Sequence, residues 1–166
     1  MNIKKPRPRD RQFLFLALVP AYFILVGFFL QSPGEILQGI FTIIREPDFL
    51  ITDYFIIGGV GAAFVNAGIL TLVSIGIVYG LGMDFDGHTI TSACLMFGFS
   101  LFGKNLLNIW AIMLGVFLYA RYHRTSVSRY IYIGYYGTSL SPIITQVMQM
   151  WELPIPVRMV CCWQWS

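Results

Sequence analysis

Two long apolar runs constrain this chain more than any other feature. Phe13 to Leu30 holds no charged residue, and Tyr54 to Leu81 holds none either. Each is as long as the roughly 20 residues a helix needs to cross a hydrocarbon core of about 30 Å. The rest of the chain cannot offset them. Of its 166 residues 57% are hydrophobic and only 11% charged, whereas a soluble domain carries about 25% charged residues. Too little polar surface remains to cover a water-soluble globule, so the expected solvent is lipid. The expected fold class is all-α, a polytopic helical integral membrane protein with about 4 or 5 membrane segments.

The first run follows a basic tail with Lys4, Lys5, Arg7, Arg9 and Arg11, in which Pro6 and Pro8 are expected to prevent a helix. The start looks like a secretory leader, but "QSPGE" follows the apolar run where a small-residue cleavage site would stand. A retained first span over 12–31 is therefore predicted, after a tail over 1–11. Within 32–52, Ile36, Ile40, Ile43 and Ile44 share one face at helical spacing. This fits a short helix lying in the membrane interface.

The second run, 54–81, is rich in small residues. Gly58, Ala62 and Asn66 fall at helical spacing, and so do Gly59 and Ala63. In lipid such a face lets helix backbones approach closely. Asn66 lies near mid-span, where its amide must face protein or water.

"GMDFDGHTI" follows. Asp84, Asp86 and His88 alternate in a Gly-flanked loop. That is a weak metal pattern beside the plainer reading of a solvated turn, and no metal or other cofactor is expected. Three cysteines make no disulfide framework, and Cys94 in its apolar run reads as a small core residue.

Then comes "FGFSLFGKNLLNIWAIMLG", with Lys104 in apolar surroundings, Gly103 before it, and Asn105 and Asn108 after it. The uncharged arms 89–103 and 105–120 hold 15 and 16 residues. At 1.5 Å per residue each reaches about 22–24 Å, short of a full span. The basic loop with Arg121, Arg124 and Arg129 comes next. Lysine and arginine excess stays cytoplasmic. A cytoplasmic N-terminus, an outer 32–52 and a cytoplasmic 121–129 loop place eight of the eleven basic residues inside. The chain from 89 to 120 must then enter and return on one side, with Lys104 at its turn. A re-entrant hairpin would hold Lys104 deep, as a functional charge in a cavity. Two short spans would let it snorkel to the far interface.

A further segment, 130–151, is broken at "GTSLSP" by Gly137 and Pro142, with Thr138, Ser139 and Ser141 between them. Broken helices at mid-membrane build many transporter sites. A proline kink between packed helices explains the break equally well. The candidate cavity or substrate contacts are Lys104, Asn105, Asn108, Asn66, Thr138, Ser139 and Ser141, with no catalytic set.

"GAAFVNAGILTL", "FGFSLFGKNLLNIWAIMLGVFLYARY" and "GTSLSPIITQV" together resemble an uncharacterised bacterial family of multi-pass membrane proteins, the domain of unknown function 1576. The resemblance runs from about Asp53 to Val160. It implies a polytopic membrane protein of unknown activity and supplies no catalytic residues. Members of that family look longer than this chain.

A sixth segment starts at 157 and ends in "CCWQWS". Cys-Cys-Trp-Gln-Trp is encoded by TGY TGY TGG CAR TGG. Read from the third base of the Val160 codon, those bases encode an aliphatic residue, Leu, Leu, Ala, then Val or Met. The shifted frame continues an apolar helix, so a truncated or frameshifted fragment is expected; a native tail with interfacial tryptophans is the alternative.

Three functions compete: a transporter or channel-like protein present as its N-terminal part, a non-transporting scaffold or assembly subunit, and a membrane enzyme. The enzyme lacks a clustered nucleophile, base or metal set, so no enzymatic activity is expected. The expected partners are the bilayer of the plasma membrane and either a missing C-terminal half or further copies of the chain; nucleic acid is not among them.

Overall fold

The computed structural model describes residues 8–45 and 53–140. These are helices joined by turns, with no strand among them: α1 (Pro8–Leu30), α2 (Pro33–Arg45), α3 (Tyr54–Ile57), α4 (Val60–Gly80), α5 (Gly87–Phe99), α6 (Trp110–Tyr122) and α7 (Ile131–Gly137), with 3₁₀ turns at Val127–Arg129 and Thr138–Leu140. Of these, α1 and α4 are long and apolar enough to cross a membrane.

Helix α1 begins at Pro8, inside the tail expected to be non-helical. Proline at the start of a helix loses no bond, because the first N–H groups have no intrahelical acceptor anyway. Pro33 opens α2 in the same way, behind a capping box. There Ser32 N donates to Glu35 Oε2 (2.9 Å) and Glu35 N to Ser32 Oγ (3.4 Å).

The long run 54–81 is two helices, not one. Gly59 breaks it with φ of +85°, a backbone region that costs other residues dearly. The restarted helix is capped from outside: Gln31 Oε1, at the end of α1, accepts from Ala62 N at 2.9 Å.

α4 is the central helix. α1 packs antiparallel along it, with Asp10 and Arg9 beside Tyr79 and Gly27 beside Gly61. A Cβ on Gly27 would stand 2.7 Å from Gly61 O, and one on Gly61 would stand 2.7 Å from Gly27 O. α2 closes the neighbouring face, with Gly39 against Gly58 and Ala62. Ile36 and Ile43 are buried there as the helical spacing predicts. The small-residue face of 58–68 is thus filled by helices of this same chain.

Helix α5 lies on a third side of α4. It buries Thr89, Ser92, Ala93 and Met96, one face at helical spacing. Cys94 is on the opposite face and exposed, not in the core as expected. The inward face is the polar one, and Ile90 and Phe99 point out. α4 likewise buries Asn66, Thr71 and Ser74. The buried hydroxyls of Thr71, Ser74 and Ser92 donate to carbonyls of their own helices, at Ala67, Leu70 and Thr89.

"DFDGH" is a helix start. Asp86 Oδ1 accepts from Thr89 N at 3.0 Å, and Thr89 Oγ1 meets Tyr132 Oη at 2.6 Å. No group of three metal-ligating side chains occurs among the described residues. The Thr89 N–H holds the Asp86 carboxyl below its usual range. A carboxyl whose pKa is lowered by folding contributes stability above its unfolded value, near 3.9, and loses it as pH falls through the folded value. Wild-type protein should therefore exceed Asp86→Asn in melting temperature most at neutral pH, with the gap closing in acid. Parallel melting curves across that range would remove the linkage.

At the C-terminus of α6, Thr125 N donates to Ala120 O (2.9 Å) and Arg124 N to Arg121 O (3.2 Å), with Arg124 at φ of +52°. This left-handed cap turns the chain sharply into α7. The Thr89–Tyr132 bond then brings the start of α7 beside the start of α5. One end of the bundle therefore collects the start of α1, the α4–α5 turn and the basic 121–129 loop.

Candidate functional site

The turn between α5 and α6 covers residues 100–109, whereas the expected arms 89–103 and 105–120 left Lys104 alone as the junction. The second arm becomes helical only at Trp110, five residues late. The asparagines are the reason. Asn105 Oδ1 accepts from Leu107 N and Asn108 N, both at 2.9 Å, and Asn108 Oδ1 accepts from Asn105 N at 3.1 Å. Asn108 Nδ2 also donates to Gly103 O at 2.7 Å. Short polar side chains that bond nearby backbone in this way compete with helix. Both candidates therefore shape the turn. Gly103 is not in the left-handed region; Phe99 O closes the bend by accepting from the N–H groups of both Gly103 and Lys104, each at 3.0 Å.

The turn does not sit at the end of α4. Asn66 Nδ2 donates to Ser100 O at 2.8 Å and to Lys104 O at 2.9 Å. Asn66 is six residues into α4 from Val60 and fourteen from Gly80, or about 9 Å and 21 Å along the axis. The tip of the α5–α6 hairpin thus lies beside the first third of the central helix, and it also meets α3, where Tyr54 N donates to Leu101 O at 3.4 Å. Asn66 is fully buried, and its Oδ1 has no hydrogen-bond partner among the described residues. The two carbonyls require the NH₂ group to face them, which leaves the oxygen on the other side.

Lys104 is also fully buried, with 0% of its surface exposed. Its Nζ donates to Ser139 Oγ at 3.2 Å, lies 3.5 Å from Met96 Sδ, and stands 5.2 Å from the centre of the Phe99 ring. These are a hydroxyl, a thioether and an aromatic face; no carboxylate is among them. Thr138 Oγ1 donates to Tyr135 O at 2.7 Å and reaches the same Met96 Sδ at 3.5 Å. Tyr135 Oη donates to Ser74 O at 2.8 Å, fixing α7 to α4.

The structure therefore brings together two breaks that are far apart in sequence. The Lys104 turn and the first half of "GTSLSP" meet at Met96, with Asn66 holding the turn from the α4 side. Of the seven candidates, six lie in this region, and Ser141 lies outside the described residues, as do Pro142, Cys161, Cys162 and the "CCWQWS" ending. Met96 was missed. A methionine in an apolar helix carries no signal by itself, although its place on the Thr89–Ser92–Ala93 face does mark it as inward.

A family model described as "Protein of unknown function (DUF1576)" matches residues 32–165. Comparison with curated proteins and with solved structures returned no match.

Proposed function

On the premise that the chain belongs to the DUF1576 family, we propose that it is a multi-pass integral membrane protein in which the α5–α6 hairpin is re-entrant and Lys104 is a functional charge within the bilayer, as in a transporter or channel-like protein. The observation that carries this reading is the complete burial of Lys104 at a hairpin tip bonded to Asn66 of α4. A lysine so placed is costly unless it is used, and irregular backbone at membrane depth persists only where protein or a cavity surrounds it. Lipid as solvent is supported by a strongly apolar outer surface together with polar side chains in the interior. Buried positions include Asn66, Thr71, Ser74, Thr89, Ser92 and Ser100, while Phe15, Leu25, Phe29 and Ile56 are each more than 65% exposed.

The basic end of the bundle, with Arg9, Arg11, Arg121, Arg124 and Arg129, is assigned to the cytoplasmic side by the excess of lysine and arginine. The reading includes no catalytic step.

Two measurements test it. A spin label at Phe102, an exposed tip position, should be quenched by a lipid-soluble quencher at a depth well inside the headgroups. Proteoliposomes of the full chain under gradients of potassium chloride, sodium acetate or glycerol should show protein-dependent volume relaxation by light scattering with at least one solute. Lys104→Met should lose that relaxation at least tenfold while the protein still folds. A headgroup-level label and no relaxation with any solute would return the protein to the scaffold reading.

A further inference from the structure

The ammonium of Lys104 lacks a counter-charge among the described residues. Its three neighbours are Ser139 Oγ, Met96 Sδ and the Phe99 ring. The carbonyl end of α5 at Phe99 and Ser100 is close by and favours a cation, but a helix end offers only about half a charge. A buried cation held by weak acceptors alone is costly, and removing such a charge often stabilises a fold. Lys104, Thr138 and Met96 are sealed within the protein, whereas Ser139 is partly exposed. Ser139 accepts from Lys104, so its own proton is directed away from the ammonium and is available to a ligand. Of the two hydrogen-bonding contacts of the ammonium, Ser139 is the one that is partly exposed.

We propose that Lys104 and Ser139 form a binding site for a small monoanion, a carboxylate or a halide, which supplies the missing counter-charge. One positive charge matches one negative charge. The arginines that could add a second, Arg121 and Arg129, flank the opposite end of the hairpin, so a divalent oxyanion would enter with its second charge uncompensated. The ammonium gives the ion pair and the Ser139 hydroxyl a second donor, a charge-assisted pair of contacts. The proposal deepens the reading of Lys104 as the functional charge and rests on it.

The test is a melting experiment on the full chain in lipid nanodiscs, at constant ionic strength set with potassium HEPES, whose bulky sulfonate is neither carboxylate nor halide. Replacing HEPES by chloride or by acetate should raise the melting temperature saturably, because a ligand that binds only the folded state stabilises it; the better of the two identifies halide or carboxylate. Sulfate should have no such saturable effect. Lys104→Met should melt higher than wild type in HEPES and show no anion response, and Ser139→Ala should weaken the response at least tenfold. The proposal is overturned if wild type ignores both monoanions, or if Lys104→Met keeps the response. It is equally overturned if no anion matters and Lys104→Met melts lower than wild type, since the charge would then already be compensated within the protein. Binding is read here without transport, so a protein that binds monoanions and moves none would sink the transport reading and leave this site standing.

Discussion

Asn66→Leu should release the hairpin tip from α4. The substitution keeps a branched side chain of similar size and removes both donors that serve Ser100 O and Lys104 O. Each buried acceptor left unsatisfied costs about 1–3 kcal/mol, so the pair should cost about 2–6 kcal/mol. Not all of it need appear as global unfolding. The tip can open locally, and hydrogen exchange then reports it. Amides of residues 100–109 should exchange at least about tenfold faster in Asn66→Leu, since about 1.4 kcal/mol corresponds to a factor of ten. Amides in the α1-facing part of α4 should change much less. Asn66→Asp should be worse, because a carboxylate would face two carbonyl oxygens with nothing to donate. Unchanged protection of the tip in both variants would show that Asn66 does not hold it. The Oδ1 of Asn66, unpartnered among the described residues, gives the same experiment a second use: a leucine there also removes a buried unsatisfied oxygen, so a net cost near the lower bound is consistent with the latch.

The second large effect is expected at the α1–α4 seam. A Cβ on Gly68 would meet the side chain of Ile24 and stand 2.9 Å from Pro20 O. Pro20 O is helix backbone and cannot swing aside, so the two long helices must part. Gly68→Ala should cost about 1–3 kcal/mol, the usual range for forcing a group into a filled space. Gly76→Ala, on the same helix, is the matched control. Its Cβ would meet nothing within 4 Å, so it should gain about 0.5–1 kcal/mol from alanine's better helix propensity. Melting temperatures in one detergent compare them directly. Equal and small shifts at the two positions would mean that the seam is not close-packed.

The two predictions rest on features that the sequence exposed to different degrees. Glycine and alanine at 58–68 announced a close approach, but not its partners. Gly61 and Gly68 serve α1, Gly58 and Ala62 serve α2, and Asn66 serves the Lys104 turn. Helical spacing gives the angle of each residue on the helix; it does not say which neighbour fills that angle. The break at Gly59 was hidden because its flanks are apolar on both sides, and an apolar run reads alike through a helix and across its interruption. The late start of α6 was legible in principle: Asn105 and Asn108 are three apart in a stretch where their side chains reach local backbone.

By itself, the sequence determined the apolar character of the chain, the two runs that supply helices long enough to span, and a turn around Lys104. All of these are local matters of hydropathy, of turn residues and of 1.5 Å per residue. Only the tertiary structure decided the burial of Lys104. That burial is set by a bond between residues 38 apart in sequence and by the meeting of the two breaks at Met96. A lysine between two short helices could lie at either surface or within the fold, because each arm satisfies its own backbone wherever it is placed. The choice came from the polar groups that α4 and α7 turn inward, and pairing of that kind depends on how helices pack, which no window along the chain contains.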